Sequence, residues 1–200
     1  FGRYKDFIFL RYDIINFSED TLEDCWIAPV MDVDIATQRS SRLGAGNDKV
    51  KYYDADTTLN LALQWSEIDR GEAGRGFGYL GFDFLESPAT IRDFDSTGNL
   101  IISDSTHFIR HDKAFYDNDE QLGLVTFRNW SIQEDIPEDA ARYDYISSRQ
   151  KDGESEAGDK RFMMATGPFH MRPGDTARVI VCVLVANPSI RDEPDGSVED

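Results

Sequence analysis

Five aspartates, Asp32, Asp34, Asp48, Asp54 and Asp56, crowd the stretch from Pro29 to Leu63 (PVMDVDIATQRSSRLGAGNDKVKYYDADTTLNLAL). Carboxylates held close together repel one another unless something positive lies among them. The economical counter-ion is a hard cation such as Ca²⁺, which takes six to eight oxygen ligands. Asp32 and Asp34 are two apart, as are Asp54 and Asp56, so either pair can share a strand face or clasp one ion from a loop. Asp48 follows Gly44-Ala45-Gly46-Asn47, where backbone carbonyls can turn inward. The D-x-D-x-D-G order of an EF-hand is missing. The competing reading is an exposed acidic loop with Arg39, Arg42, Lys49 and Lys51 as counter-charges.

Aromatic residues offer a second chemistry. Tyr52, Tyr53 and Trp65 lie beside the acidic stretch and could form a sugar-stacking platform, with Tyr52 and Tyr53 as the expected exposed pair. Core and loop packing explains the same residues. Trp26, inside CWIAPV, reads as core. Other chemistries find little support. His107 and His111 have helical metal-ligand spacing, but THFIRHD favours strand or loop. GRGFGYLG lacks a Walker lysine and leads into aromatic strand residues rather than a helix, so it fails the context test for a phosphate cradle. No G-x-S-x-G occurs. In so acidic a chain, chance carboxylate pairs make a glycosidase dyad a weak reading. Asn16-Phe17-Ser18 and Asn129-Trp130-Ser131 are formal sequons only.

Cys25 and Cys182 sit in apolar runs, CWIAPV and VIVCVLVA. They read either as two small buried hydrophobes or as a disulfide made in an oxidising compartment. No Cys/His spacing suits a structural zinc.

The elements that must position these residues are mostly strands. Residues 6–16 alternate as a strand, with Ile8, Leu10, Tyr12 and Ile14 on one face and Phe7, Phe9 and Ile15 on the other. A second strand runs from Leu22 to Val30. Thr57 to Trp65 is a strand or a short helix. Asp95–Asn99 marks a hairpin between 89–94 and 100–102. Leu122–Trp130 is another strand. Pro137, Glu138 and Asp139 open a helix over 137–151. The segment 152–159 is polar and expected to be mobile. Arg172-Pro173-Gly174-Asp175 is a turn before Ala177–Ala186, which is apolar on both faces and so expected to be central and covered twice. The first and last strong strands are expected to pair near the middle of a sheet.

The expected fold is therefore mostly β: a β-sandwich, Ig-like or jelly-roll-like, with long loops and one short helix. Residues 1–188 form a single domain, and 189–200 are expected to be a charged, disordered tail. A chain of 200 residues can bury roughly 70% of its unfolded surface, so its core needs no staples. Its 21 Lys and Arg against 38 Asp and Glu give a net charge of −17. That argues against nucleic acid, whose phosphates need a basic face, and against anionic membrane surfaces. An Asp-rich surface suits a salty medium or any secreted protein. No apolar run approaches the roughly 18 residues of a membrane span. The strand-like opening shows no signal-peptide pattern and suggests a domain cut from a longer chain.

Several segments, in order, carry a resemblance. DFIFLRYDIINFSEDTLEDCWIAPVMDVDI, DADTTLNLALQW, GYLGFDFLESP, LGLVTF and DKRFMMATGPFHMRPGDTARVIVCVLVANP resemble an uncharacterised β-sandwich module. It occurs in secreted and surface proteins of Bacteroidota and related bacteria, often exported by the type IX route. The resemblance implies export, a sandwich fold and a metal at the acidic loop, but no biochemical activity. The chain departs from the pattern at Gly153–Asp159, where relatives carry a longer insertion. The function expected is a non-catalytic extracellular structural or adhesion module. Its partners would be other domains of the same chain, or a surface glycan or protein. A carbohydrate-binding module and a hydrolase domain are the alternatives.

Overall fold

The computed structural model describes residues 5–35, 45–56, 58–68, 78–91, 93–101 and 107–186. It is mostly β, with two antiparallel sheets facing each other as a β-sandwich. The larger sheet has the order β1 (Phe7–Ile15), β11 (Thr176–Ala186), β6 (Tyr79–Glu86), β5 (Leu61–Ser66) and β4 (Asp48–Tyr52). In the smaller sheet β10 (Lys160–Met171) is central. One of its edges pairs with β2 (Leu22–Ile27) and then β3 (Val30–Asp32), and the other pairs with β9 (Thr126–Ser131). Pro29 has no N–H to donate. It divides the expected 22–30 strand into β2 and β3, and its carbonyl accepts from Met164 N–H at 3.2 Å. The short hairpin of β7 (Asp93–Phe94) and β8 (Leu100–Ile101) turns on Gly98, at φ +88°.

The smaller sheet is thus three strands wide and the larger five. Side chains from both inner faces meet in a core of Val50, Phe82, Phe127, Phe162, Met164, Val179 and Val181, all nearly or fully buried. Phe82 and Phe162 meet edge to face, with ring centroids 6.2 Å apart. Gly167, at φ +146°, lies where a side chain would collide with the Trp26 ring and the Cys25 carbonyl, so the backbones close there on glycine alone.

β1 and β11 pair as expected, but β1 is the outermost strand rather than a central one. β11 has strands on both sides, but only one of its faces is in the core. On the other, Arg178, Ile180 and Leu184 stay half-buried and Cys182 is buried. The helix α1 is shorter than expected, Asp139–Ile146. Glu138 stays extended, and Gln150–Asp152 pair with Phe127 through two 2.9 Å backbone bonds, which draws the chain out of the helix. The segment 152–159 is not a free polar loop. It docks along β4, with Ser155 N–H donating to Val50 O and Gly158 N–H to Asp48 O. The tail 189–200 lies outside the described residues.

One corner ties the two ends of the domain together. Asn16 is 3% exposed, and its Nδ2 donates to Met171 O (3.0 Å) and Asp20 O (2.9 Å). Its Oδ1 accepts from Ser18 N–H and Oγ–H. Its backbone exchanges bonds with the Pro173–Asp175 turn: Asn16 N–H donates to Asp175 O, and Gly174 N–H to Asn16 O. Asp175 closes the turn by accepting from Arg172 N–H at 2.7 Å. The formal sequon at Asn16 is therefore a structural clamp. Replacing it strands buried acceptors and donors, each costing about 1–3 kcal/mol. Asn16→Ala should lower the unfolding free energy by about 2 kcal/mol or more, read from urea denaturation.

Candidate functional site

β4 presents Asp48, Val50 and Tyr52 to the interior and Lys49 and Lys51 outward, by the period of two. β5 beside it presents Ala62, Gln64 and Ser66 inward. Apolar residues fill one end of this face, while the other end is polar: Asp48 and Gln64 are both fully buried. Gln64 Nε2 donates to Asp48 Oδ2 at 3.1 Å and also to the Val33 carbonyl. Ile35 N–H donates to the same Asp48 oxygen at 3.2 Å. The loop after β3 is thereby stitched to β4 and β5 through one carboxylate.

That carboxylate is under-satisfied. Asp48 Oδ1 and Gln64 Oε1 are buried and have no hydrogen-bond partner. Burial pushes the Asp48 carboxyl up from 3.8 to about 7, against the bonds from Ile35 and Gln64, which pull it down. The negative charges of Asp34 and Asp159 push it further up. A buried, partly unpaired carboxylate attracts either a proton or a cation. The unbonded Asp48 Oδ1 and Gln64 Oε1 are oxygen atoms, the ligand type that hard cations take. No group of three or more His, Cys, Asp or Glu that could hold a metal ion is found among the described residues.

The five expected aspartates do not share a centre. Asp34 and Asp48 come close enough to feel each other's charge. Asp32 instead turns to Arg161 (2.9 Å) across the β3–β10 pairing. Asp54 and Asp56 follow the far end of β4; Tyr52 alone is already about 13 Å from Asp48 at about 3.3 Å per strand residue. Asp56 is exposed and accepts from Thr58 N–H (3.0 Å) and Oγ1–H (2.6 Å), an Asx turn rather than a ligand.

The aromatic platform also dissolves. Tyr52 is 7% exposed, packed at a tilt against Phe127 and capped by Lys151, whose Nζ stands 4.5 Å from the ring centroid. Adjacent strand residues point to opposite faces, so Tyr53 turns outward where Tyr52 turns in. Trp65 pairs with Lys49 at the other end of the hairpin and packs on Tyr79. Cys25 and Cys182 are free. They sit in different sheets, and Cys182 alternates with the core-facing Val181 and Val183, so it points away from the smaller sheet. Burial raises both thiol pKa values. His107 packs on His170, and His111 pairs with Asp175 at 3.1 Å.

A second feature was not signalled by any motif. A groove of about 400 Å³ lies between α1 and the smaller sheet, lined by Val30, Trp130, Ile136, Tyr145, Ile146 and Met163. Arg161 crosses its polar side, bonded to Asp32 and Asp135 (3.2 Å). Trp130 meets Tyr145 edge to face at 5.7 Å, and its buried Nε1–H has no partner. A smaller polar cavity of about 130 Å³ holds Arg110, Lys113 and Arg178, but each is already paired with a carboxylate.

Asp159 and Gln64 at the acidic corner were also missed from sequence. In β5 the structure buries Ala62, Gln64 and Ser66 and leaves the larger Leu61, Leu63 and Trp65 half-buried. No family model, curated protein or solved structure matches this chain. No helix among the described residues is long and apolar enough to cross a membrane.

The corner has a pH signature. With its folded value raised to about 7 above the ordinary 3.8, Asp48 holds its proton longer in the native state than in the unfolded one. Its contribution is complete below about 4 and is lost as pH rises through 7. In cation-free buffer, wild type should lose stability relative to Asp48→Asn between pH 4.5 and 7. The expected slope is at most about 1.4 kcal/mol per pH unit. Parallel urea-unfolding profiles of the two proteins would contradict this.

Proposed function

We propose that this chain is a non-catalytic structural or adhesion module of a larger extracellular bacterial protein, stiffened by Ca²⁺ at the Asp48 corner. The observation that carries this reading is the fully buried Asp48 carboxylate with one oxygen unbonded beside the unbonded Gln64 Oε1. Asp34 and Asp159 add negative potential at the same place. Asp48 and Gln64, with Asp34 and Asp159 in reach, would hold the cation, and waters would complete its shell. The cation would supply positive charge beside a carboxylate that, among the described residues, is held by amide donors and pushed by the charges of Asp34 and Asp159. Bound there, it cross-links the loop after β3, the β4–β5 hairpin and the segment 155–159, so opening any of them costs more.

The resemblance of the chain's segments to exported sandwich modules supports an extracellular setting, where millimolar calcium suits a weak site of about 10⁻⁴–10⁻³ M. The net charge of −17 opposes nucleic acid as a partner. Neighbouring domains of the same chain, or a surface protein, are the partners that fit.

A second reading is a small-ligand module, with a glycan as the occupant. It is favoured by the groove at Trp130 and Tyr145, with its Asp32–Arg161–Asp135 ion-pair array. It replaces Tyr52, Tyr53 and Trp65 as the binding residues. Glycan-array binding lost on Trp130→Ala, with the melting temperature retained, would move the functional centre to that groove.

Calcium at 10 mM should stabilise wild type by about 1.4–2.7 kcal/mol, from mass action at those affinities. The gain should grow as pH rises from 5 to 8, because ligation needs Asp48 ionised. Asp48→Asn should show no gain at any pH. Identical wild-type melting curves in calcium and in chelator would overturn the calcium reading.

A further inference from the structure

The five-stranded sheet overhangs its three-wide partner on the β1 side. Ile8, Leu10, Tyr12 and Ile14 lie opposite Val183, Val181, Val179 and Ala177 of β11, so they continue the core-facing surface. Yet they are 60%, 37%, 46% and 41% exposed, while Val181, Val179 and Ala177 are fully buried. An apolar stripe therefore runs on from the core with nothing beneath it among the described residues.

From Arg11 to Ile15 the strand's outer edge pairs with no other described strand. Val185 N–H donates to Asp6 O at 2.9 Å and Asn16 N–H to Asp175 O at 3.0 Å. Both follow the register that sets Leu10 opposite Val181. Antiparallel bonds fall on alternate residues, so even-numbered residues bond β11. Arg11, Asp13 and Ile15 turn their N–H and C=O groups outward, where no described strand pairs with them. The usual protections of an edge are missing: β1 has no proline, no lysine and no register shift against β11. It also carries one Arg and one Asp, hence no net charge, within a chain of −17. Self-repulsion between two copies is least at such a strand.

We propose that β1 is a self-association edge, to which a second copy of this chain adds its own β1, antiparallel about a two-fold axis at Tyr12. The bonding phase requires outward residues to face outward residues. Centring the pair on Arg11 or on Asp13 sets like charges directly opposite. Centring it on Leu10 or Ile14 faces the charges with apolar side chains. Centring it on Tyr12 sets Arg11 opposite Asp13 of the second copy, and Asp13 opposite its Arg11, in hydrogen-bonded positions. Asp13 is already held in place by Arg11 (2.8 Å) and Arg178 (2.9 Å). On the other face Leu10 meets Ile14, and the two Tyr12 side chains meet at the close, non-hydrogen-bonded position. The two overhanging stripes then become one covered surface and the two sheets become continuous, the isologous arrangement expected of a two-fold dimer.

Light scattering coupled to size exclusion, at about 0.15 M salt, tests this with the 200-residue chain. Wild type is expected at twice its 22.7 kDa. Tyr12→Lys and Tyr12→Glu should each weaken association roughly tenfold or more, since each sets like charges together at the axis. Both should keep the wild-type circular dichroism. Mixed in equal amounts, they should restore the dimer, because Lys then faces Glu. Arg11→Asp, a surface change that sets carboxylates opposite one another in this register, should also give monomer. A monomeric wild type would overturn the proposal, as would a Tyr12→Lys or Arg11→Asp protein that still dimerises, or a Lys/Glu mixture that stays monomeric.

Discussion

Where this chain folds as described, ionised Asp48 is costly unless a proton or a positive charge offsets it. An isolated carboxylate withdrawn from water costs far more than the net stability of a domain. Two amide donors, Ile35 N–H and Gln64 Nε2, reach only one of its oxygens. The other has no partner, and the nearest additional charges, Asp34 and Asp159, are of the wrong sign. Solution conditions therefore decide the state of this corner. At low pH a proton suffices. Near neutral pH the group is balanced between states, and a divalent cation can tip the balance. A loop, a hairpin and a docked segment all meet at this point, so their order depends on the same choice.

The unequal widths of the two sheets form the second constraint. Three strands beneath five cannot cover every inner face. At the β4 edge the docked segment 155–158 supplements the sheet, and Val50 and Tyr52 are buried. At the β1 edge nothing described does so, and Leu10, Tyr12 and Ile14 remain exposed although they share a face with core valines. The sandwich is thus closed on its acidic side and open on its apolar side. One edge calls for a counter-charge and the other for a strand.

Much of the architecture could be read from the sequence, because strand alternation and turn residues are local signals. β1, β11, the Gly98 hairpin and the start of α1 all follow from such patterns. β4 was hidden, since DKVKY inside an acidic run looks like loop until its partner strand is known. The binding readings fared worse for a related reason. Asp54 and Asp56 repeat the spacing of Asp32 and Asp34, but spacing along a chain does not say which end of a hairpin a residue occupies. Tyr52 and Tyr53 look equivalent in sequence, yet a strand sends neighbours to opposite faces. Asp159 and Gln64 reach the corner through pairings more than 90 and about 15 residues distant from Asp48 in sequence, which no local pattern encodes. Trp130 and Tyr145 approach each other only because α1 lies across β9.

The charge state of Asp48 itself is the most direct measurement. Its side-chain carboxyl carbon can be followed by NMR across pH 3–9, assigned through Asp48→Asn, with and without calcium. A midpoint near 7 in chelator, lowered by about one to two pH units in 10 mM calcium, is the expected result. A midpoint near 3.8 that calcium leaves unmoved would contradict both the burial of the carboxylate and the proposal that it anchors a cation.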